Sequence, residues 1–133
     1  MMINERTSFL KNRVNSFKHA CNGLVIILKT EVNFKIHLVL LFVVIGLGWF
    51  LDISSFEWLV VIIISSVVMV SEAFNTALEY VVDLASPEYH LLAKKAKDVG
   101  AASALIASIG AVIIGLIIFL PKMYFKLQCF LEQ

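Results

Sequence analysis

The sequence has few of the residues on which several common classes of protein depend. Its two cysteines, Cys21 and Cys129, lie far apart in dissimilar contexts, whereas a disulfide framework or a zinc site needs more than two such residues. We therefore interpret each cysteine as a small apolar residue. The formal net charge is only +1, and no basic cluster carries aromatic residues in a nucleic-acid-binding pattern, so we expect no nucleic-acid partner.

Two kinds of recognisable segment are also missing. The first 35 residues contain no uninterrupted apolar core, so we expect no cleaved signal peptide. The chain also lacks a G-x-x-x-x-G-K-[ST] loop, and Gly46 and Gly48 fall inside an apolar run. No glycine motif for cradling phosphate is therefore present.

Apolar residues are abundant. They make up 60% of the 133 residues, against about half in soluble domains, and this length favours one domain. They form three long runs, separated by a polar turn at residues 52–55 and by the break at Ser86-Pro87, and we expect the last run to end at Pro121. We predict an all-α integral membrane protein with transmembrane helices at residues 36–51, 56–83 and 99–120, a cytoplasmic loop at 84–98 and a C-terminal tail at 121–133.

The lysines predict an orientation. The N-terminal segment and the loop at 84–98 are both rich in lysine, so both are expected on the cytoplasmic side, and the turn at 52–55, which has no lysine or arginine, outside. Three spans then place the C-terminus outside, with Lys122 and Lys126 as weak evidence to the contrary.

The segment before the first span has a different pattern. In residues 6–34, apolar residues recur every three or four positions and polar ones fall on another face. This pattern predicts an amphipathic helix lying in the cytoplasmic membrane interface, with a soluble helix packed on a partner as the alternative. The apolar residues are Leu10, Val14, Phe17, Cys21, Leu24 and Leu28.

A polar stripe interrupts the second apolar run. Its five residues have offsets of 0, 3, 4, 7 and 11, which place them within about 100° of one another on a helix. An interhelical polar clamp is one interpretation, but such a clamp rarely needs two acids on one face without a base. Acids grouped in this way, near the cytoplasmic end of a span, favour a cation site with the oxygen ligands that magnesium prefers. The residues are Glu72, Asn75, Thr76, Glu79 and Asp83.

Two further polar positions flank the spans. Glu31 lies just before the first span, at the expected level of Glu79. The pair Lys97-Asp98 directly precedes the third span. A lysine in that position either extends to the membrane interface or binds phosphate oxygens, and its position leaves both open.

These motifs resemble the bacterial diacylglycerol/undecaprenol kinase family. Residues 72–79 fit the pattern E-x-x-N-[ST]-A-[IL]-E, and Glu88-Tyr89-His90 and the segment at 96–102 follow at the spacing of the family. The resemblance extends from about residue 12 to residue 120 and includes Phe17, Ala20, Gly23, Glu31 and Asn33. There are departures: His19 stands where the family commonly has tyrosine, and an arginine near the start of the surface helix has no certain match.

The resemblance implies an activity, an assembly and a set of site residues. The family forms trimers of three-span subunits in the bacterial inner membrane, and transfers the γ-phosphate of ATP to a lipid hydroxyl using magnesium. It implies that Glu72 is the general base, that Asn75 orients Glu72 or the γ-phosphate, and that Glu31 and Glu79 are metal ligands. It also implies nucleotide contacts from Glu88, Tyr89, His90, Lys97 and Asp98, and lipid-substrate contacts from Phe34, His37 and Phe50.

Two questions stay open in the sequence. The segment around His37 resembles the branch associated with undecaprenol, which favours that lipid slightly over diacylglycerol. The alternative to a kinase is a non-enzymatic oligomeric subunit that uses Glu72 and Glu79 as a cation relay. Such a relay has no need of a phosphate-binding lysine at position 97.

Overall fold

The computed structural model describes the backbone of residues 2–132 and the side chains of Phe9 and residues 11–132. This part of the chain contains four α-helices: α1 (Met2–Thr30), α2 (Val32–Phe50), α3 (Ser55–Ala85) and α4 (Leu91–Leu131). They fall into two compact units, Met1–Val32 and Asn33–Gln133.

Helices α2, α3 and α4 are each long and apolar enough to cross a membrane. They have 19, 31 and 41 residues, which correspond to about 28, 46 and 61 Å, against a hydrocarbon core of about 30 Å. Their large apolar side chains are mostly exposed, including Trp49 at 78% and Ile106 at 71%. The prediction of an all-α membrane protein with three spans is confirmed.

Helix α1 forms the first unit. It ends where the backbone N–H of Glu31 donates to the carbonyl of Ile27 at 2.9 Å, four residues before the predicted boundary at residue 34. Its apolar side chains are exposed, Phe17 by 72%. The guanidinium of Arg13 lies 4.9 Å from the centre of the Phe9 ring.

The turn between α2 and α3 is well defined by local interactions. Asp52 has a φ of 50°, a left-handed conformation that aspartate tolerates better than most residues. Ser54 then caps α3 in a capping box with Glu57, whose carboxylate accepts from the Ser54 backbone N–H at 2.7 Å. A buried apolar cluster packs behind this turn and joins the three helices; its most buried members are Leu51, Ile53, Val61, Ile118 and Phe119.

The close approach of α2 to the start of α3 depends on Gly48. The indole ring of Trp58 occupies the place where a side chain would begin: a Cβ at position 48 would lie 2.7 Å from the nearest ring carbon. Only glycine allows this packing without a shift of the indole ring or of one helix.

The break between α3 and α4 is shorter than predicted. Ser86 caps α3 by donating its N–H to the carbonyl of Val82 at 2.8 Å, and Pro87 cannot continue the helix. His90 then caps α4, its Nδ1 accepting from the N–H of Leu92 at 3.2 Å. The predicted loop at residues 84–98 is therefore wrong for 91–98, because lysine, alanine and leucine are good helix formers despite their charged context.

The predicted end of the third helix at Pro121 is also wrong, because α4 continues through Pro121 to Leu131. Proline removes one backbone hydrogen bond, but near a bilayer the other backbone groups have no better partner than the helix. The extension contacts the turn between α2 and α3. Lys122 pairs with Glu57 at 3.1 Å, and Lys126 donates to the carbonyl of Phe50 at 2.6 Å.

Candidate functional site

The polar stripe lies on the buried side of α3. Val68, Glu72 and Thr76 recur every four residues, and Glu72 and Thr76 are only 3% and 2% exposed. Helix α4 packs against α3, and its small residues Gly100 and Ala104 are buried as well. The first residues of the stripe therefore lie within the helix packing of the second unit, whereas Asp83 at its end is exposed.

Glu72 is the most enclosed acid in the described part of the chain. The hydroxyl of Thr76 donates to the backbone carbonyl of Glu72 at 3.1 Å, which satisfies the hydroxyl within α3. Among the described residues, the Glu72 carboxylate has neither a hydrogen-bond donor nor an ion-pair partner. A buried acid left in this way is energetically expensive, which favours a functional role for it over a structural one.

Asn75 and Glu79 form a pair one helical turn further along α3. The Asn75 amide nitrogen donates to Glu79 Oε1 at 3.1 Å, and both side chains are partly buried. The Asn75 amide therefore contacts Glu79, and the role that the resemblance implied for it, in orienting Glu72 or the γ-phosphate, stays a prediction. Its own carbonyl oxygen is buried without a hydrogen-bond partner in the described chain.

The lengths of α3 and α4 place these acids relative to a membrane. A hydrocarbon core of about 30 Å takes about 20 residues of helix, so α3, counted from Ser55, would leave it near Asn75. Gly100 of α4 lies beside Asn75, and the charge-free run of α4 begins at position 99, so both helices give the same boundary. Glu72 then lies about 4.5 Å inside the boundary and Glu79 about 6 Å outside it.

A polar cavity opens beyond this boundary, where α3 ends and α4 begins. Its volume is about 360 Å³, within the range of small-molecule sites. All five residues that the resemblance assigned to the nucleotide line it, together with Asp83 and Lys94; these five are Glu88, Tyr89, His90, Lys97 and Asp98.

Lys97 has a partner in this cavity that the sequence did not indicate. Its ammonium contacts both carboxylate oxygens of Asp83, at 3.0 and 3.2 Å. The two side chains are 37% and 63% exposed, and an ion pair so open to water contributes little to stability. A phosphate entering the cavity can therefore replace Asp83 at little cost. The sequence feature that could have predicted this ion pair is the opposite charge of Asp83 and Lys97, which lie on either side of the helix break at Ser86-Pro87.

The three residues assigned to the lipid occupy different places. Phe34, near the start of α2, is only 4% exposed. His37 lines a separate cavity of about 260 Å³ between α2, α3 and α4. Phe50 lies about 20 Å from His37 along α2. It stands at the turn between α2 and α3, where its carbonyl accepts from Lys126. Phe50 thus shares no site with the other two residues.

The predicted metal ligands belong to different units. Glu31 is partly buried at the break between α1 and α2, in the first unit, whereas Glu79 lies in the second. Among the described residues, no group of three or more His, Cys, Asp or Glu side chains could hold a metal ion. The carboxylate of Glu79 is of the type that magnesium takes, and magnesium is commonly held by one or two carboxylates together with substrate phosphates.

Comparison with known proteins identifies the family to which this chain belongs. A sequence model described as prokaryotic diacylglycerol kinase matches residues 18–119, which include the polar stripe and the cavity. The chain belongs to the prokaryotic diacylglycerol kinase family. It is therefore a bacterial membrane kinase, a phosphotransferase with an alcohol acceptor.

The similar proteins carry two different enzyme names. The undecaprenol kinase of Bacillus subtilis is 37% identical over 120 residues, which cover 90% of this chain and 94% of the Bacillus protein. The diacylglycerol kinase of Synechocystis is 40% identical over 113 residues, covering 84% of this chain and 65% of that protein. The diacylglycerol kinase of Escherichia coli K12 is 33% identical over 112 residues, covering 84% and 91%.

Proposed function

We propose that this kinase transfers the γ-phosphate of Mg-ATP to the hydroxyl of a membrane lipid alcohol at the cytoplasmic boundary of the membrane. The observation that carries the proposal is the position of the polar cavity. It opens to water at the end of α3, whose preceding turns hold Glu79 outside the boundary and Glu72 inside it. A water-soluble nucleotide and a lipid hydroxyl can therefore approach the same stretch of helix from opposite sides.

Glu72 is the proposed general base. Its carboxylate lies on the lipid side of the boundary, and no donor in the described chain competes for it. It takes the proton of the lipid hydroxyl as the hydroxyl oxygen attacks the γ-phosphorus and ADP leaves. Phosphoryl transfer needs mainly positioning and charge neutralisation, so one base and several fixed charges are sufficient.

Glu79 and Glu31 are the proposed ligands of magnesium, which supplies charge neutralisation on the phosphates. In support, the Asn75 amide holds the Glu79 carboxylate by one oxygen at 3.1 Å. Since the described residues include no complete cluster for a metal ion, the nucleotide phosphates supply the remaining ligands.

The residues that line the polar cavity are the proposed nucleotide contacts. Lys97 exchanges Asp83 for phosphate oxygens, a substitution favoured by the exposure of the existing pair. His90 presents its Nε2 side to the ligand, because Nδ1 accepts from the start of α4. Tyr89, which is 81% exposed, offers a ring for stacking. Glu88 and Asp98 complete the wall of the cavity.

Undecaprenol is the proposed acceptor in preference to diacylglycerol. The relative named undecaprenol kinase aligns over 90% of this chain and 94% of its own length, more than the diacylglycerol kinases of Synechocystis and Escherichia coli K12. His37 agrees with this preference, since it lines a cavity among the three membrane helices. The subunit is proposed to work as a homotrimer with its N-terminus in the cytoplasm, an orientation supported by the lysine-rich segments around α1 and at the start of α4.

The test is a phosphorylation assay on the purified, reconstituted protein. Vesicles containing undecaprenol, diacylglycerol or neither are given ATP labelled at the γ-phosphate, with and without magnesium, and the lipids are extracted. Labelled lipid that requires magnesium, with undecaprenol labelled faster, is the expected result. A protein that labels neither lipid but makes the vesicles leak cations would contradict the proposal and favour the cation relay. Glu57→Gln, which changes an acid at the opposite end of α3, is the matched control and should label lipid normally.

A further inference from the structure

Gly100 of α4 lies against the amide of Asn75. Gly100 is buried, and a Cβ at this position would lie 2.7 Å from Asn75 Oδ1 and 2.8 Å from a terminal methyl carbon of Leu78. Real Cβ atoms essentially never approach a heavy atom so closely. Leu78 is 36% exposed, so its methyl group can move aside. The Asn75 amide is the group that a side chain at position 100 would displace.

The orientation of that amide is determined by Glu79. An ionised carboxylate only accepts hydrogen bonds, so the NH₂ group of Asn75 must face Glu79, which it does at 3.1 Å. The carbonyl oxygen of the same planar amide is then directed at Gly100, where it is buried without a hydrogen-bond partner in the described chain. A buried acceptor without a donor is unfavourable. The bond to Glu79 and the surrounding packing together must offset that cost.

We infer that Gly100 is a positioning residue for nucleotide use. By carrying no side chain, it leaves the space in which the Asn75 amide can lie with its NH₂ group on Glu79. A methyl group at position 100 would rotate the Asn75 amide, and this rotation breaks its bond to Glu79, which lies on the same helix. The inference rests on the proposed function, in which Glu79 holds the metal and its nucleotide.

The test compares two glycine-to-alanine variants on the same helix. In Gly100→Ala the new methyl group meets Asn75, whereas in Gly110→Ala it meets only one methyl carbon of Ile64, at 4.0 Å, an ordinary contact. The loss of a hydrogen bond to a charged group corresponds to roughly a tenfold change in binding. Gly100→Ala should therefore raise the KM for ATP and the magnesium concentration for half-maximal rate about tenfold, with the KM for lipid unchanged. Gly110→Ala should match the wild type in all three quantities.

A double variant shows whether Gly100 acts through Asn75. Once Asn75→Ala has removed the amide, adding Gly100→Ala should change neither the KM for ATP nor the magnesium requirement further. If Gly100→Ala does not fold, the double variant should fold, because the clash with Asn75 has been removed and the methyl group of Leu78 can move aside. A double variant that fails to fold where Asn75→Ala alone folds would overturn the inference.

A readout independent of activity separates this inference from the proposed function. The side-chain NH₂ resonance of Asn75, assigned by its loss in Asn75→Ala, should shift in Gly100→Ala and stay in place in Gly110→Ala. An unshifted resonance in Gly100→Ala, or a magnesium requirement within twofold of the wild type, would overturn the positioning role. A wild-type protein that phosphorylates no lipid would overturn the proposed function and leave the resonance test intact.

Discussion

Replacing Glu72 by glutamine separates the chemical role of this acid from its structural cost. The substitution keeps the shape of a side chain that is only 3% exposed and removes its basicity and charge. If Glu72 is the general base, turnover should fall by about 10²–10⁴, an increase of roughly 3–5 kcal/mol in the activation barrier. The KM for Mg-ATP should be nearly unchanged, because the nucleotide contacts lie outside the membrane boundary, and the oligomer should stay intact.

The same substitution should leave the fold as stable or make it more stable. A charge at the centre of a membrane costs about 2.5–3.5 kcal/mol, and a position about 4.5 Å inside the boundary costs less. No donor in the described chain offsets that cost at Glu72. We therefore expect the free energy of unfolding in detergent to rise by up to about 2 kcal/mol in Glu72→Gln. A variant that is almost inactive and at least as stable as the wild type is the signature of a functional acid.

Glu57→Gln is the matched control for this experiment. Its carboxylate lies at the other end of α3, where it accepts from Ser54 at 2.7 Å and pairs with Lys122 at 3.1 Å. Glutamine can still complete the capping box with Ser54, but it loses the charge that pairs with Lys122. Stability should therefore fall by about 1 kcal/mol or less with turnover unchanged, the opposite signature to Glu72→Gln. The assignment of Glu72 would be refuted if Glu72→Gln lost nucleotide binding while the bound complex turned over normally. Glu72 would then be a ligand, with the roles of the two acids on α3 reversed.

Three further outcomes are expected. Glu79→Ala or Glu31→Ala should weaken Mg-ATP use about tenfold or more with assembly intact, because each removes a proposed ligand. Kinetics at a series of magnesium concentrations would show this. A variant with the magnesium requirement of the wild type would remove that residue from the metal site. If each site is built from two subunits, mixing a variant without Glu72 and a variant without Glu31 should restore some activity, whereas a fully active monomer in detergent would rule this out. Gly48→Ala should destabilise the protein by about 1–3 kcal/mol, because an indole ring occupies the space of the new methyl group. Gly46→Ala is the control and should not destabilise it, because its new methyl group meets nothing within 4 Å. Equal unfolding curves for the two variants would contradict this packing.

Local composition and periodicity determined the overall architecture. Long apolar runs, of which residues 99–120 carry no charge at all, have no stable place in water, so the spans follow from the sequence alone, as does the break at Ser86-Pro87. The alignment of Glu72, Asn75 and Glu79 along one side of α3 likewise follows from the helical repeat. These features depend only on residues near one another in the chain.

The wrong predictions at the two ends of α4 also came from considering only residues near one another in the chain. Residues 91–98 were predicted as loop because they are charged, and Pro121 was predicted as a helix end because proline ends most helices in water. Both predictions neglected what surrounds the helix: the charged residues are good helix formers, and a backbone near a bilayer has few partners outside its own helix. Lys122 and Lys126, weak evidence against an outward C-terminus in the sequence, are held in the structure by Glu57 and by the carbonyl of Phe50.

The sequence by itself determined the spans, the family motif and the acids that share one side of α3. Only the tertiary structure decided which groups meet: Lys97 with Asp83, and the Asn75 amide with Gly100. These pairs depend on how far α4 is shifted along α3, and one residue of helix changes that shift by about 1.5 Å, half the length of a hydrogen bond. The helical repeat fixes the direction of each side chain around its own axis but carries no information on that shift, which is set by the packing of Gly100 and Ala104 against the neighbouring helix.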